Sequence, residues 1–270
     1  KIINIIRAMG TDELADNPII ELEHKTDSGL GGRANLGVIV LSSDQTLEYE
    51  FRSLLDFKGV AFYHSRIPNE MEITKETLAK MEEELPEVAS ILPKSFNFSA
   101  IGYGCTSGAT IIGEDQVEKA IQKVHPGTPC SNPLTACKAA LRALGLKRIG
   151  LLTPYDPAIT AEMRDNLSDN GFTIPITGSF FESDDFVVGR ISSESILKSV
   201  LKIGACEECD GVFVSCTNLR VVSVIEEAES LLGKPVTSSN HALAWHLLRL
   251  SGIKDCPENL GSLFQKQLKE

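Results

Sequence analysis

Positive charge is what this sequence is short of: 26 Lys and Arg stand against 37 Asp and Glu, for a formal net charge of −11. No dense Lys/Arg cluster reverses the balance locally, which excludes nucleic acid and anionic lipid surfaces as expected partners. A small anionic ligand remains compatible, because local backbone N–H groups decide its binding. Long apolar runs are missing too. No stretch approaches the ~20 residues that span a bilayer, and Lys1–Gly10 lacks the apolar region and cleavage site of a signal peptide. A cytoplasmic protein without a membrane partner is expected. There is no P-loop, no GxGxxG after a strand and no HExxH, so nucleotide and zincin chemistry have no support. The seven cysteines, an odd number scattered over 270 residues, do not form the disulfide framework of a small secreted domain, and reduced thiols are expected.

What is present is ordinary globular material, 42% hydrophobic and 23% charged, in a chain long enough to bury one large core or two modest ones. Residues 1–35, with Gly29, Gly31 and Gly32, read as an N-terminal extension. From Leu36 onward short apolar runs alternate with turns and longer helical stretches, the signature of parallel βαβ units in an α/β fold. Strands are expected at Leu36–Leu41, Gly59–Tyr63, Ser99–Gly104, Arg148–Leu152, Gly211–Val214 and Val236–Thr237. Helices are expected between and after them, among them Gln45–Phe57, Thr74–Leu92, Asn132–Leu144 and Ala242–Leu250.

The chain also repeats itself once. Gly37 precedes Cys105 by 68 residues and Gly150 precedes Cys216 by 66; Asn132 and Asn240 then follow those cysteines by 27 and 24. Such coincidences, in the same order, imply two homologous lobes presenting equivalent strand-end loops to a shared cleft. The expected division is 1–128 plus 237–270 for the first lobe and 129–236 for the second.

Each repeat carries a Cys-Thr pair where a strand ends: Gly104-Cys105-Thr106-Ser107-Gly108 and Ser215-Cys216-Thr217-Asn218. Small residues let the backbone approach a ligand closely, and N–H groups at such a turn bind a carboxylate and favour a thiolate. Thr217 and Asn218 add a hydroxyl and an amide. A lone free cysteine is commonly just a small buried apolar group; two in matched settings point to nucleophilic or acid–base chemistry. Cys130, Cys137 and Cys256 have no such setting and read as structural. Cys206 and Cys209 form a CxxC with no second ligand pair, so no metal site is expected. His64 and Arg66 are weighed as a second carboxylate site against a solvated turn, and Tyr155, held between Pro154 and Pro157, as a phenolic donor. His241 and His246 read as structural, and helix capping is at least as good a role for Asn132 and Asn240 as ligand contact.

Together with the openings Val38–Glu48 and Thr153–Ile159, the two cysteine motifs resemble the maleate cis–trans isomerase and arylmalonate decarboxylase branch of the aspartate/glutamate racemase superfamily. The resemblance spans roughly residues 36–252. It implies two pseudo-symmetric Rossmann-like domains with parallel sheets, an interdomain active site and no cofactor. By position it makes Cys105 the nucleophile and Cys216 the second thiol, with Thr106, Ser107 and Tyr155 donating to the substrate carboxylate. Ser42, Asp44 and Thr46 occupy the first strand-end loop, where maleate isomerases carry Asn in a Ser-Ser-Asn-Thr sequence. Asp44 in that place repels a second carboxylate and favours an ammonium or amide, as in ectoine-utilisation members of the group. The expected activity is isomerisation or racemisation of a small carboxylate, amino-acid-derived or unsaturated. The rivals are decarboxylation of a malonate-type acid and non-catalytic binding of a small acid; a homo-oligomer is left open.

Overall fold

The computed structural model describes residues 21–269, so the first twenty residues of the expected extension lie outside the described residues. It contains two four-stranded sheets, parallel throughout. The first holds β1 (Ala34–Leu41), β2 (Val60–Ile67), β3 (Ala100–Gly104) and β4 (Cys130–Ser131); the second holds β5 (Arg148–Thr153), β6 (Thr173–Ser179), β7 (Gly211–Val214) and β8 (Val236–Ser238). Their orders, β2-β1-β3-β4 and β6-β5-β7-β8, are the same order written twice. This is the structural form of the repeat seen in the sequence.

The glycines that mark the repeat have one packing reason in both lobes. Gly37 sits mid-β1, where an added Cβ would lie 3.0 Å from Leu92 and 3.2 Å from Phe98; at Gly150 in β5 it would lie 2.5 Å from Ile203. In each lobe a covering side chain lies where a Cβ would stand. β1 is buried along nearly its whole length, as a strand covered on both faces requires, and its run Leu36–Leu41 is accordingly almost uniformly apolar.

Ten helices are described, of which α1 (Leu47–Leu54), α2 (Lys75–Ile91), α3 (Thr106–Ile112), α4 (Glu114–Gln122) and α5 (Pro133–Leu144) follow strands of the first sheet. The others are α6 (Pro157–Asp169), α7 (Asp185–Val188), α8 (Ser193–Gly204), α9 (Ile225–Leu232) and α10 (Ser239–Leu250). Asn132 caps α5, its side chain accepting from the N–H groups of Leu134 and Thr135, both at 3.0 Å. Asn240 is not a cap. Ser238 caps α10, and Asn240 is the second residue of that helix, donating to Glu50 and to the Thr217 carbonyl.

The last helix of each repeat leaves its own sheet. α10 packs along α5 and over β3 of the first sheet, with Leu243 and Leu247 against Gly102 and Trp245 completely buried, its indole N–H donating to the Lys266 carbonyl at 2.9 Å. β4, the last strand of the first sheet, ends at Ser131, and β8, the last strand of the second, ends at Ser238. Among the described residues no helix is long and apolar enough to cross a membrane.

Candidate active site

Cys105 is the residue at which β3 becomes α3. It caps that helix with its sulfur, which accepts from the Gly108 N–H at 3.2 Å and lies 3.6 Å from the Ser107 hydroxyl. Cys216 follows β7 and has φ of 102°, a left-handed conformation that an L side chain adopts only under constraint from its surroundings. The constraint is visible: the Cys216 N–H donates to the Ser239 hydroxyl at 3.0 Å, at the start of α10.

The two Cys-Thr motifs are hydrogen-bonded to each other. Thr106 shares a 2.7 Å hydrogen bond with Ser239, the same hydroxyl that holds Cys216, and the Thr217 hydroxyl donates to the Gly104 carbonyl at 3.3 Å. Cys105, Thr106 and Ser107 thus meet Tyr155, Cys216 and Thr217 around one small cavity. Loops following the second strand of each sheet come together beside it, where Glu72 and Asp184 form an antiparallel bridge and the Ile73 N–H donates to the Ser183 carbonyl at 3.1 Å.

Both thiols are buried in the main apolar core, with Cys105 2% and Cys216 6% exposed. Burial pushes the Cys105 thiol up to about 11, despite the stabilising Ser107 and Gly108 hydrogen bonds, and raises Cys216 well above the ordinary thiol range. The expectation of a lowered thiol pKa is thereby corrected: desolvation outweighs the local donors. Tyr155 is also buried and raised, so its phenol stays protonated and available as a donor.

Other expected site residues sit beside the cavity rather than on it. Ser42 is exposed and hydrogen-bonds Asn69. Asp44 is buried with one carboxylate oxygen accepting from the N–H groups of Thr46 and Leu47, both at 2.8 Å, so it caps the start of α1. Its other oxygen is buried with no hydrogen-bond partner among the described residues, and burial raises the group to about 6. Thr46 and Asn218 staple the lobes: the Thr46 hydroxyl donates to the Asn218 carbonyl at 2.8 Å, and the Asn218 side chain accepts from the Gln45 N–H at 2.9 Å. His64 and Arg66 both contact Glu48 on the surface of the first lobe. Cys206 and Cys209 form a turn away from the cavity, and among the described residues no group of three His, Cys, Asp or Glu side chains is arranged to hold a metal.

Several residues of the cavity wall are not among the expected ones, Asn69, Glu70, Glu72 and Asp185 among them. Asp185, 3% exposed at the start of the short helix α7, lines the cavity with the thiols. Ser43 donates to its carboxylate, and its main chain is held by Met71 and Asn218. The available signal was positional: the acidic stretches Glu70–Glu72 and Glu182–Asp185 follow the second strand of each repeat.

The arylmalonate decarboxylase family profile matches residues 71–264, most of the chain and nearly all of the cavity wall. The chain belongs to the arylmalonate decarboxylase family. Within this family it is similar to the maleate isomerase of Geobacillus stearothermophilus, 25% identical over 241 residues, covering 84% of this chain and 96% of that one. The arylmalonate decarboxylase of Bordetella bronchiseptica is 29% identical over 127 residues, 47% of this chain and 53% of that enzyme. Among solved structures, a cysteine-to-serine mutant of Nocardia farcinica maleate cis–trans isomerase with a covalently bound succinylcysteine intermediate superposes with a TM-score of 0.78 at 23% identity, over 86% of this chain and 98% of that one. The two-sheet architecture is therefore the family fold.

Proposed function

We propose that this family member is a cofactor-independent isomerase of a small carboxylate, with Cys105 and Cys216 as its reacting groups. The observation that carries the reading is the meeting of two buried thiols, one from each lobe, on a single cavity. Maleate isomerase relatives along nearly their full length and the succinylcysteine reported for the Nocardia enzyme support it.

Two reaction courses fit two thiols. In a cis–trans isomerisation the Cys105 thiolate adds to one alkene carbon, forming a C–S bond while the π pair moves toward the conjugated carboxylate. The former double bond then rotates, and expulsion of the thiolate restores the alkene. In a racemisation one thiolate removes the α-proton and the opposite thiol returns a proton to the other face. The charge developing on the carboxylate is met by the hydroxyls of Ser107 and Tyr155, held in place in a largely buried site where such donors are strong. The elevated thiol pKa values suit the acid role as they stand. The base role requires a proton to leave, and substrate binding must supply the incentive.

Decarboxylation of a malonate-type acid is a second reading, favoured by the Bordetella relative. Turnover of candidate acids in deuterated solvent separates the courses. Exchange at an α-carbon without loss of CO2 marks racemisation, alkene isomerisation without exchange marks the covalent route, and CO2 release marks decarboxylation. Absence of all three across amino acids, hydroxy acids, unsaturated diacids and malonates would leave only a binding role.

A further inference from the structure

The charges on the cavity wall are of one sign. Among the described residues its ionisable side chains, apart from the thiols and Tyr155, are Glu70, Glu72 and Asp185, and no Lys, Arg or His lines it. Glu70 and Glu72 are exposed at the rim, whereas Asp185 is almost wholly buried beside the thiols. Among the described residues no cationic side chain forms an ion pair with Asp185. Its carboxylate has the Ser43 hydroxyl, and its backbone is fixed by the Asn218 amide at 2.8 Å and by Met71 at 3.1 Å.

A buried carboxylate without a counter-charge is unfavourable, and one held rigidly at a ligand cavity is compensated when the ligand brings the charge. Against this wall a second carboxylate meets like charge, while the hydroxyls of Ser107 and Tyr155 offer donors for a single carboxylate. We propose that the substrate is a small zwitterionic acid whose cationic nitrogen pairs with Asp185 while its single carboxylate faces those hydroxyls. This rests on the reading that a small acid binds between Cys105 and Cys216.

The arrangement also addresses how the thiols are activated. The Asp185 charge is among the groups that hold both thiols protonated; a substrate cation on Asp185 cancels that field as it docks. Deprotonation then becomes easier only when the correct ligand is present.

The test uses chain-matched acids that differ in one end group: β-alanine against succinate, and 4-aminobutyrate against glutarate. Dissociation constants are measured by calorimetry and by protection of Cys105 and Cys216 from iodoacetamide, followed by mass spectrometry. The wild-type protein is expected to favour each amino acid over its diacid partner by about tenfold or more, the scale of one charged contact. Asp185→Asn, which keeps an acceptor for Ser43, should shift that ratio toward the diacids by a similar factor. Ser43→Ala, which removes the hydrogen bond but keeps the charge, should preserve the preference. A wild-type preference for the diacids, or a ratio unmoved by Asp185→Asn, overturns the proposal while leaving a small-acid site standing. Failure of all four acids to bind or protect the thiols removes the small-acid reading itself and the proposal with it. Should Asp185→Asn not fold, the wild-type and Ser43→Ala ratios still decide.

Discussion

Replacing Asp44 by Asn tests whether this residue is a helix cap in a buried setting or a reader of substrate. Its carboxylate rises from 3.8 to about 6 because desolvation outweighs the two N–H donors at the start of α1. At 1.36 kcal/mol per unit, that shift makes the ionised form about 3 kcal/mol less favourable in the folded protein than in the unfolded chain. The sign follows from the raised value. Below pH 3.8 the group is protonated in both states and carries no penalty; the penalty grows through pH 4–6 and is complete above about 6. Asparagine keeps the capping acceptor and is as good a cap as aspartate, but it carries no charge. Asp44→Asn should therefore stabilise the protein at pH 8, by on the order of 1–3 kcal/mol or several degrees in melting temperature, with little gain at pH 4.5. Thermal melts of both proteins across that range measure it, and the ratio of kcat/KM between acids of different charge should stay within about twofold. A variant less stable than wild type at pH 8, or a gain that does not change with pH, would refute the burial argument. A large change in substrate preference would return Asp44 to the cavity.

Cys105→Ala and Cys216→Ala should each abolish turnover with unchanged far-UV circular dichroism, at a stability loss of about 1–2 kcal/mol because both thiols are core groups; appreciable activity in either would end the two-thiol mechanism. Alkylation of Cys105 by iodoacetamide should be much slower at pH 8 than that of the exposed Cys256 and should accelerate toward pH 11, and equal rates at pH 8 would contradict its burial. Gly108→Ala would put a Cβ 2.9 Å from the Cys105 sulfur and 2.5 Å from the Tyr103 hydroxyl; displacement of the thiol should lower kcat by about tenfold or more, with about 1–3 kcal/mol of destabilisation. An unimpaired kcat would mean that the thiol position is not critical.

The cysteines were legible because the repeat places each of them at the end of a parallel strand, a location with chemical meaning in open α/β sheets. The strands β1, β3, β5 and β7 were legible for a related reason: each is apolar along nearly its whole length. Thr173–Ser179 gave no such pattern. It is an edge strand, mostly half-buried, and contains Pro175, which only an edge tolerates readily. Cys130–Ser131 is too short to leave a pattern at all. Asp44 has a sequence position that matches a ligand-binding loop, whereas its direction is set by the capping bonds to Thr46 and Leu47. Asp185 was hidden for the converse reason. Nothing local distinguishes it from Asp184; contacts from Ser43, Met71 and Asn218, far away in sequence, carry it into the cavity.

The passage of α10 from the second sheet onto the first bears on how the molecule comes into being. β3 (Ala100–Gly104) leaves the ribosome well before its covering helix (Ser239–Leu250). The first lobe is therefore expected to wait, its sheet uncovered on one side, until that helix has been made, and this long-range closure should slow folding. A chain ending before Ser239 is expected to leave the β3 amides open to hydrogen exchange, and strong protection of those amides in such a fragment would show that the first lobe closes without its borrowed helix.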